Sequence, residues 1–101
     1  MAEQVEVRIV NGAVSVDKPE LDLRGKGPNV LIHWKIRESD WNFTANGIEI
    51  QGNTGQFSEP EPQGPNFRWK DKNDDQTRYK YTVNVTNGTS TLSKDPFIIN
   101  E

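Results

Sequence analysis

The feature that most constrains the fold is a regular alternation of apolar and polar side chains, punctuated by three Asn-Gly pairs. In the segment EQVEVRIV, residues 3–10, apolar side chains occupy positions 5, 7 and 9 and charged ones positions 6 and 8. A period of two places successive side chains on opposite faces of a β-strand. An Asn-Gly pair between two such runs favours a hairpin, because a type I′ turn needs positive φ at both positions. The sequence therefore predicts strands joined by tight reversals.

Each Asn-Gly pair also predicts a strand register. The pairs lie at positions 11–12, 46–47 and 87–88. With a two-residue loop at each, apolar side chains oppose apolar ones across one face. The expected opposed pairs are, for the three hairpins in turn, Val7 with Val16, Phe43 with Ile50, and Val83 with Leu92.

Further runs predict the remaining strands. They are NVLIHWKI at 29–36, NFRWK at 66–70, TRYKYTVNV at 77–85 and a short edge strand, FIIN, at 97–100. The side chains expected to point inward are Val30, Ile32, Trp34, Ile36, Phe67, Trp69, Tyr79, Tyr81, Val83 and Val85. No window of 11 or more residues has helical periodicity. We therefore expect an all-β, antiparallel, immunoglobulin-like sandwich of seven to nine short strands, in one domain spanning residues 1–101.

The segment SEPEPQGPNF, residues 58–67, interrupts this pattern with three prolines. Pro60, Pro62 and Pro65 cannot donate ladder hydrogen bonds, and each restricts the residue before it. Our interpretation is a stiff crossover from one sheet to the other that also resists edge pairing. The alternative is a polyproline II recognition segment, since Pro62 and Pro65 have PxxP spacing.

Composition narrows the function classes. The 101 residues carry a net charge of −3 with no basic or acidic tail, so we expect neither nucleic acid nor a membrane as partner. Cysteine is absent, which removes disulfides, thiol nucleophiles and thiolate metal sites. Because the first residues have no signal-peptide pattern, the expected location is the cytoplasm.

Catalytic and metal-binding patterns are sparse. His33 is the only histidine, and it is expected on the outward face of a strand with no nucleophile motif nearby. One histidine without cysteine excludes a blue-copper site and nitrogen- or sulfur-ligated zinc. In DKNDDQ, Asp71, Asn73 and Asp75 have the spacing that opens a calcium loop, but positions six and twelve do not fit an EF-hand. They remain weak calcium candidates beside the simpler interpretation of a polar loop, and no cofactor is expected.

A positively charged face is a further, weak ligand-site candidate, beside the simpler interpretation of a solvated strand surface. Arg68 and Lys70 alternate with inward aromatic residues on one strand, and Arg78 and Lys80 do so on the next. If the two strands are neighbours, four cations share one outer face and attract an anion. Trp41 is a further candidate, as an exposed ring for stacking on a sugar or a base. Strand parity counted from Phe43 places it on the core side instead.

Two resemblances follow from these segments. YKYTVNV after a distant VLIHWKI resembles immunoglobulin-like and cupredoxin-like sandwiches, which implies a buried Trp34 beneath Tyr79 or Tyr81. The chain from about residue 57 resembles the DP-EP family of small bacterial proteins. The matching dipeptides are Glu59-Pro60 or Glu61-Pro62 and, after the Tyr-x-Tyr-x-Val-x-Val strand, Asp95-Pro96. The family implies a fold and brings no activity. Read from the residues alone, Asp95-Pro96 is a strand stop.

The sequence thus favours a non-enzymatic binding or assembly module acting through outer sheet faces or loops on an unknown protein or anionic ligand. The loops of first interest are DKNDDQ and 58–66. A carbohydrate-active domain with paired carboxylates is the enzymatic alternative. An exposed edge near FIIN also predicts homo-oligomers by strand pairing.

Overall fold

Two five-stranded sheets face each other in the computed structural model, which describes residues 2–53 and 55–100. The strands are β1 (Ala2–Val10), β2 (Ala13–Val16), β3 (Glu20–Asp22), β4 (Val30–Ile36), β5 (Asn42–Ile50), β6 (Phe57–Gln63), β7 (Asn66–Asp71), β8 (Arg78–Thr86), β9 (Thr91–Lys94) and β10 (Phe97–Ile99). The first sheet has the order β2-β1-β4-β7-β6. The second has the order β3-β10-β8-β5, with β9 also paired to β8.

The predicted all-β sandwich is confirmed, with two differences in detail. The described residues form ten strands instead of seven to nine. In addition, β1 is parallel to β4 and β10 is parallel to β3, so both sheets are mixed. Parallel neighbours need a long crossover connection. Here β4 follows β1 only after the chain has passed through the second sheet, a route that local patterns cannot reveal.

The first Asn-Gly hairpin forms in the predicted register. Val7 lies opposite Val16 and Val10 opposite Ala13. Both turn residues have positive φ, 51° at Asn11 and 74° at Gly12, as a two-residue hairpin turn of the I′ kind requires.

The second predicted hairpin is wrong. Residues 46–47 lie inside β5, which pairs with β8 at both of its ends. Between Phe43, opposite Val85, and Ile48, opposite Val83, the four residues 44–47 face a single residue of β8. Gly47 has no positive φ. A Cβ there would lie 2.6 Å from the Cβ of Phe43, so the glycine permits close packing inside an irregular strand.

The third predicted hairpin has the wrong register. Val85, not Val83, lies opposite Leu92, and the loop has four residues, 87–90. The Asn87 side-chain oxygen accepts hydrogen bonds from the amides of Thr89 and Ser90, at 2.9 and 2.7 Å, which stabilises the longer loop. A shift of two residues keeps every side chain on its predicted face.

The proline-rich segment is not a crossover, so that interpretation was wrong. Residues 57–63 form β6, the edge strand beside β7, and a turn at Gly64 and Pro65 joins the two. The pairing is irregular between Ser58 and Glu61, around Pro60. Prolines are tolerated on an edge strand because its outer side has no ladder partner, and they discourage further pairing there.

The C-terminal strand is not an exposed edge, which corrects the predicted oligomer edge at FIIN. β10 pairs with β8 on one side and with β3 on the other. β9 and β10 are consecutive partners of β8, separated by Asp95-Pro96. Pro96 lacks an N–H, and its carbonyl accepts from the Tyr81 amide at 3.0 Å. The predicted strand stop therefore separates β9 from β10, and both of these strands pair with β8.

The alternating side chains form the core between the sheets. All of the predicted inward positions on β4 and β8 are buried. At the centre, the Trp34 indole N–H donates to the Tyr81 hydroxyl at 3.0 Å, and the ring centroids are 5.4 Å apart. Phe43 with Phe67 and Phe57 with Tyr79 make similar edge contacts across the sheets.

Candidate functional site

A cleft of about 400 Å³ opens at one end of the first sheet, where β4 begins, β7 ends and β6 begins. Its lining includes Leu31, Ser58, Glu59, Lys70, Asp71 and Lys72. The cleft thus lies between the two segments that the sequence singled out, the start of the 58–66 segment and the start of DKNDDQ.

Strand register builds the floor of the cleft. Leu31 of β4 and Ser58 of β6 both lie opposite Lys70 of β7, so the three side chains form one row on the outer face of the sheet. Leu31 is half-buried and supplies apolar surface. Two residues further on, Lys72 lies on the same face as Lys70, because side chains alternate along the chain. The Lys72 backbone is fixed on both sides by bonds to Asn29 and Gln56, at 3.0 and 2.9 Å.

A carboxylate already occupies this cationic rim. Glu59 has φ of 54°, a left-handed conformation that non-glycine residues seldom adopt and that the following Pro60 disfavours further. Its Oε2 lies 2.5 Å from the Lys70 ammonium nitrogen. The hydrogen bond and the charge of Glu59 raise the pKa of Lys70, which keeps it cationic. By contrast, Lys72 is exposed and forms no ion pair with any described residue.

Behind this rim, β7 ends in a buried polar network that the sequence did not predict as a whole. Asp71 is 1% exposed and Asn100 2%. The Asn100 side-chain nitrogen donates to Asp71 Oδ1 at 3.1 Å, to Asp75 Oδ1 at 2.9 Å and to Gln56 Oε1 at 3.4 Å. The Tyr79 hydroxyl donates to the other oxygen of Asp75. One amide therefore joins three separate segments of the chain.

Asn73 fastens the same loop to a fourth segment. Its backbone N–H donates to Asp71 Oδ1 at 2.9 Å, and its side-chain nitrogen donates to the carbonyls of Leu23 and Gly27, at 3.0 and 2.8 Å. Asn73 is 1% exposed. These bonds satisfy backbone carbonyls in the connection before β4, so Asn73 anchors that connection to the loop after β7.

The two aspartates of the network have opposite pKa shifts. Burial raises the pKa of Asp71 to about 6, helped by the charges of Asp75 and Asp74 and opposed by its hydrogen bonds from Asn73 and Asn100. Burial also acts to raise the pKa of Asp75, but hydrogen bonds, first from Tyr79 and then from Asn100, outweigh it and lower that pKa. Asp71 is thus the carboxyl of this pair that resists ionisation.

Two oxygens of this network lack hydrogen-bond donors. Asp71 Oδ2 and Asn100 Oδ1 are buried and have no partner among residues 2–53 and 55–100. Buried polar atoms are nearly always paired, so these two need a physical explanation.

The structure does not arrange the calcium candidates as an ion's ligand shell. The Asn73 side-chain nitrogen points to two carbonyls, and both carboxylate oxygens of Asp75 accept hydrogen bonds. Within the described part of the chain, no three acidic or histidine side chains are placed to hold a metal ion. Asp71, Asn73 and Asp75 instead share a hydrogen-bond network.

The four-cation face that was expected if β7 and β8 were neighbours does not form, because the two strands belong to different sheets. Lys70 lies in the cleft, whereas Arg78 and Lys80 lie on the other side of the sandwich. There Arg78 stacks on the Phe97 ring at 4.1 Å and pairs with Glu20 at 2.6 Å, and Lys80 lies 3.9 Å from Asp95. Arg68 is on the first sheet, opposite both His33 and Glu61.

Two other residues considered in the sequence, Trp41 and His33, make contacts within the fold. Trp41 is partly buried and packs against the core, as strand parity indicated, so it is not an open stacking platform. His33 is half-buried on the outer face, as predicted, with Nε2 2.8 Å from the Asn66 side-chain oxygen.

Sequence reasoning missed Lys72, Glu59 and Asn100 as members of these arrangements. Lys70 and Lys72 at alternate positions before a polar loop were a usable signal for a shared face. Asn100 had none, because its role depends on β10 lying beside β8.

Comparisons with protein-family models and with curated proteins return no match for this chain. Among the described residues there is no helix long and apolar enough to cross a membrane.

Proposed function

We propose that this protein is a non-enzymatic binding module that takes a carboxylate-bearing ligand in the cleft between β4, β6 and β7. The observation that carries the proposal is the rim itself. Lys70, Lys72 and the half-buried Leu31 line the same cleft, and Lys70 already pairs with a carboxylate. A ligand with an anionic group and a short apolar body matches this surface.

The contact between Glu59 and Lys70 supports the choice of ligand class. Both side chains are more than half exposed, and exposed ion pairs contribute only about 0–1 kcal/mol. A ligand carboxylate can therefore replace Glu59 at small cost. Release of Glu59 also allows its backbone to leave the left-handed conformation, which itself costs on the order of 1 kcal/mol or more.

The binding test is a titration followed by two-dimensional NMR, with acetate, benzoate and a short acidic peptide as probes. We expect amide shifts in residues 29–31, 58–59 and 70–72, weakened by salt as for any exposed charge pair. Lys70→Gln and Lys72→Gln should each weaken binding several-fold. The matched control is Lys94→Gln, which removes one exposed cation from the other sheet.

The two outcomes separate clearly. Equal binding by Lys72→Gln and Lys94→Gln, or shifts scattered over both sheets, would contradict the proposal. Glu59→Gln gives a second check: if Glu59 competes with the ligand, its neutralisation raises the affinity for acetate.

The proposal also covers the location of the protein, its family and the enzymatic alternative. A cysteine-free chain suits a reducing compartment, and we propose the cytoplasm. Membership of residues 57–101 in the DP-EP family is a hypothesis supported by the two dipeptides and the strand between them. The enzymatic alternative has weaker support, since Asp71 and Asp75, the carboxylates joined by Asn100, include one with almost no exposed surface.

A further inference from the structure

We propose that a single proton held between the Asp71 carboxyl and the Asn100 side-chain amide closes the end of the sandwich and acts as a pH-sensitive latch. The latch consists of these two side chains, which join the end of β7 to the residue after β10. This inference does not depend on the cleft binding a ligand, and its test uses none.

The hydrogen bonds of the pair indicate where the proton is held. Asp71 and Asn100 already share one hydrogen bond, from Asn100 Nδ2 to Asp71 Oδ1 at 3.1 Å. The other oxygen of each group is a buried acceptor without a donor among the described residues. A carboxylic acid and a primary amide are complementary, because the acid O–H donates to the amide oxygen while the amide N–H donates to the acid carbonyl. One proton on Asp71 Oδ2, donated to Asn100 Oδ1, would give both of these oxygens a hydrogen bond.

The orientation of the Asn100 amide is fixed by its surroundings. Its nitrogen faces three acceptors, on Asp71, Asp75 and Gln56. Rotation by 180° would direct the amide oxygen at the same acceptors and lose every bond. The oxygen of the Asn100 amide therefore stays turned away from Asp75 and Gln56, where a protonated Asp71 could donate to it.

The charges facing Asp71 also favour its neutral form. Asp74 and Asp75, in the same loop as Asp71, are negatively charged. The other neighbours in this network, Gln56 before β6 and Tyr79 of β8, are neutral. The cations adjacent to Asp71 in the sequence, Lys70 and Lys72, lie on the opposite, outer face of the sheet. Burial with these neighbours raises the pKa of Asp71 to about 6.

A metal cation fits the same oxygens less well than a proton does. Calcium needs about six to eight oxygen ligands. Here Asp71 Oδ1 and both oxygens of Asp75 already accept hydrogen bonds, which leaves two buried side-chain oxygens without a partner in the described chain.

The sign of the pH effect follows from the two pKa values. An unfolded Asp71 loses its proton near 3.8 and the folded one near 6. Between these values the folded state binds more protons than the unfolded state, so stability falls as pH rises through this window. Below pH 4 the latch contributes fully, and above pH 6 it is open.

The test compares Asp71→Asn with wild type and with Asp74→Asn across pH 4 to 8. The introduced amide would keep the Oδ1 acceptor and place an N–H where the proton lies, so the latch would be closed at every pH. We expect the melting temperature of Asp71→Asn to exceed that of wild type by about 5 °C or more at pH 8 and to match it near pH 4. Asp74→Asn is the comparison for the loss of one loop charge: it lowers the pKa of Asp71, because the Asp74 charge helps to raise it, but the fall in stability with rising pH should remain.

Three results would overturn the proposal. One is an Asp71→Asn protein that is less stable than wild type at pH 8. Another is a difference between them that does not vary with pH. The third is stabilisation of wild type by calcium or sodium at pH 8 that disappears in Asp71→Asn, which would replace the proton by a cation. If Asp71→Asn does not fold, the ¹³C shift of the wild-type Asp71 carboxyl decides the matter. A titration midpoint near 6 supports the latch and one near 4 refutes it.

Discussion

The centre and one end of this sandwich hold the sheets together by different physical means. At the centre, Trp34 and Tyr81 are fully buried, and the one hydrogen bond between them satisfies the indole donor. At the end, Asp71, Asn73 and Asn100 are equally buried but polar, and they connect four segments of chain. The first contact contains no group that ionises near neutral pH, whereas the second contains Asp71, whose pKa burial raises to about 6. The comparison shows that two contacts can be equally buried and still respond differently to pH.

The largest expected effect is at the apolar centre. Trp34→Ala should lower the free energy of unfolding by about 3–5 kcal/mol, because it removes a large buried ring and leaves a cavity. Urea denaturation measures it. Trp41→Ala is the control, since that ring is only partly buried against the same core. Equal losses in the two variants would mean that Trp34 is not the main contact between the sheets.

The next effect tests the polar end. Asn73→Ala should cost about 2–3 kcal/mol, because two hydrogen bonds to Leu23 and Gly27 are lost and their carbonyls lose a buried donor. Asn84→Ala removes an asparagine whose bonds are exposed on the outer face, and it should cost less than about 1 kcal/mol. A smaller loss in Asn73→Ala than in Asn84→Ala would show that the polar end adds little to stability.

Removal of one hydroxyl group at the apolar centre should have a smaller effect on the free energy of unfolding. Tyr81→Phe removes the hydroxyl that accepts from Trp34, so a buried N–H is left without a partner, at a cost of about 1–2 kcal/mol. Tyr79→Phe removes a hydroxyl that donates to Asp75 nearer the surface, and we expect a smaller loss. Thermal melts of the two variants rank them, and the reverse order would contradict the contrast between centre and end.

The centre could be predicted from the sequence, and the reason is physical. A period of two fixes which face a side chain occupies regardless of its partner strand, so Trp34 and Tyr81 were correctly placed before any pairing was known. The same argument holds at residues 87–88 although the predicted register was wrong, because a register shift of two residues leaves each side chain on the same face of the sheet.

The polar end could not be predicted, because it depends on which strands are neighbours. Asn100 meets Asp71 only because β10 lies in the second sheet near the end of β7 in the first. The cleft likewise depends on β6 pairing with β7, where the prolines suggested a crossover. Of the three Asn-Gly pairs, only the one at residues 11–12 predicted both a hairpin and its register correctly. At Gly47 the same pair serves close packing against Phe43, which no local turn preference reveals.

A last experiment compares the two tyrosines directly by alkaline titration. Burial, then the hydrogen bond to Asp75, raises the pKa of Tyr79 to about 12, and deeper burial raises the pKa of Tyr81 further, although its bond from Trp34 opposes the shift. Because an unfolded tyrosine ionises near 10, the folded state loses stability as pH rises from 10 to 12. The chain has two tyrosines, so tyrosinate absorbance reports on these alone. We expect little signal at pH 10 and a step that coincides with unfolding. In Tyr81→Phe the remaining step should come at lower pH than in Tyr79→Phe. A full step near pH 10 with the fold intact would contradict the burial of both rings.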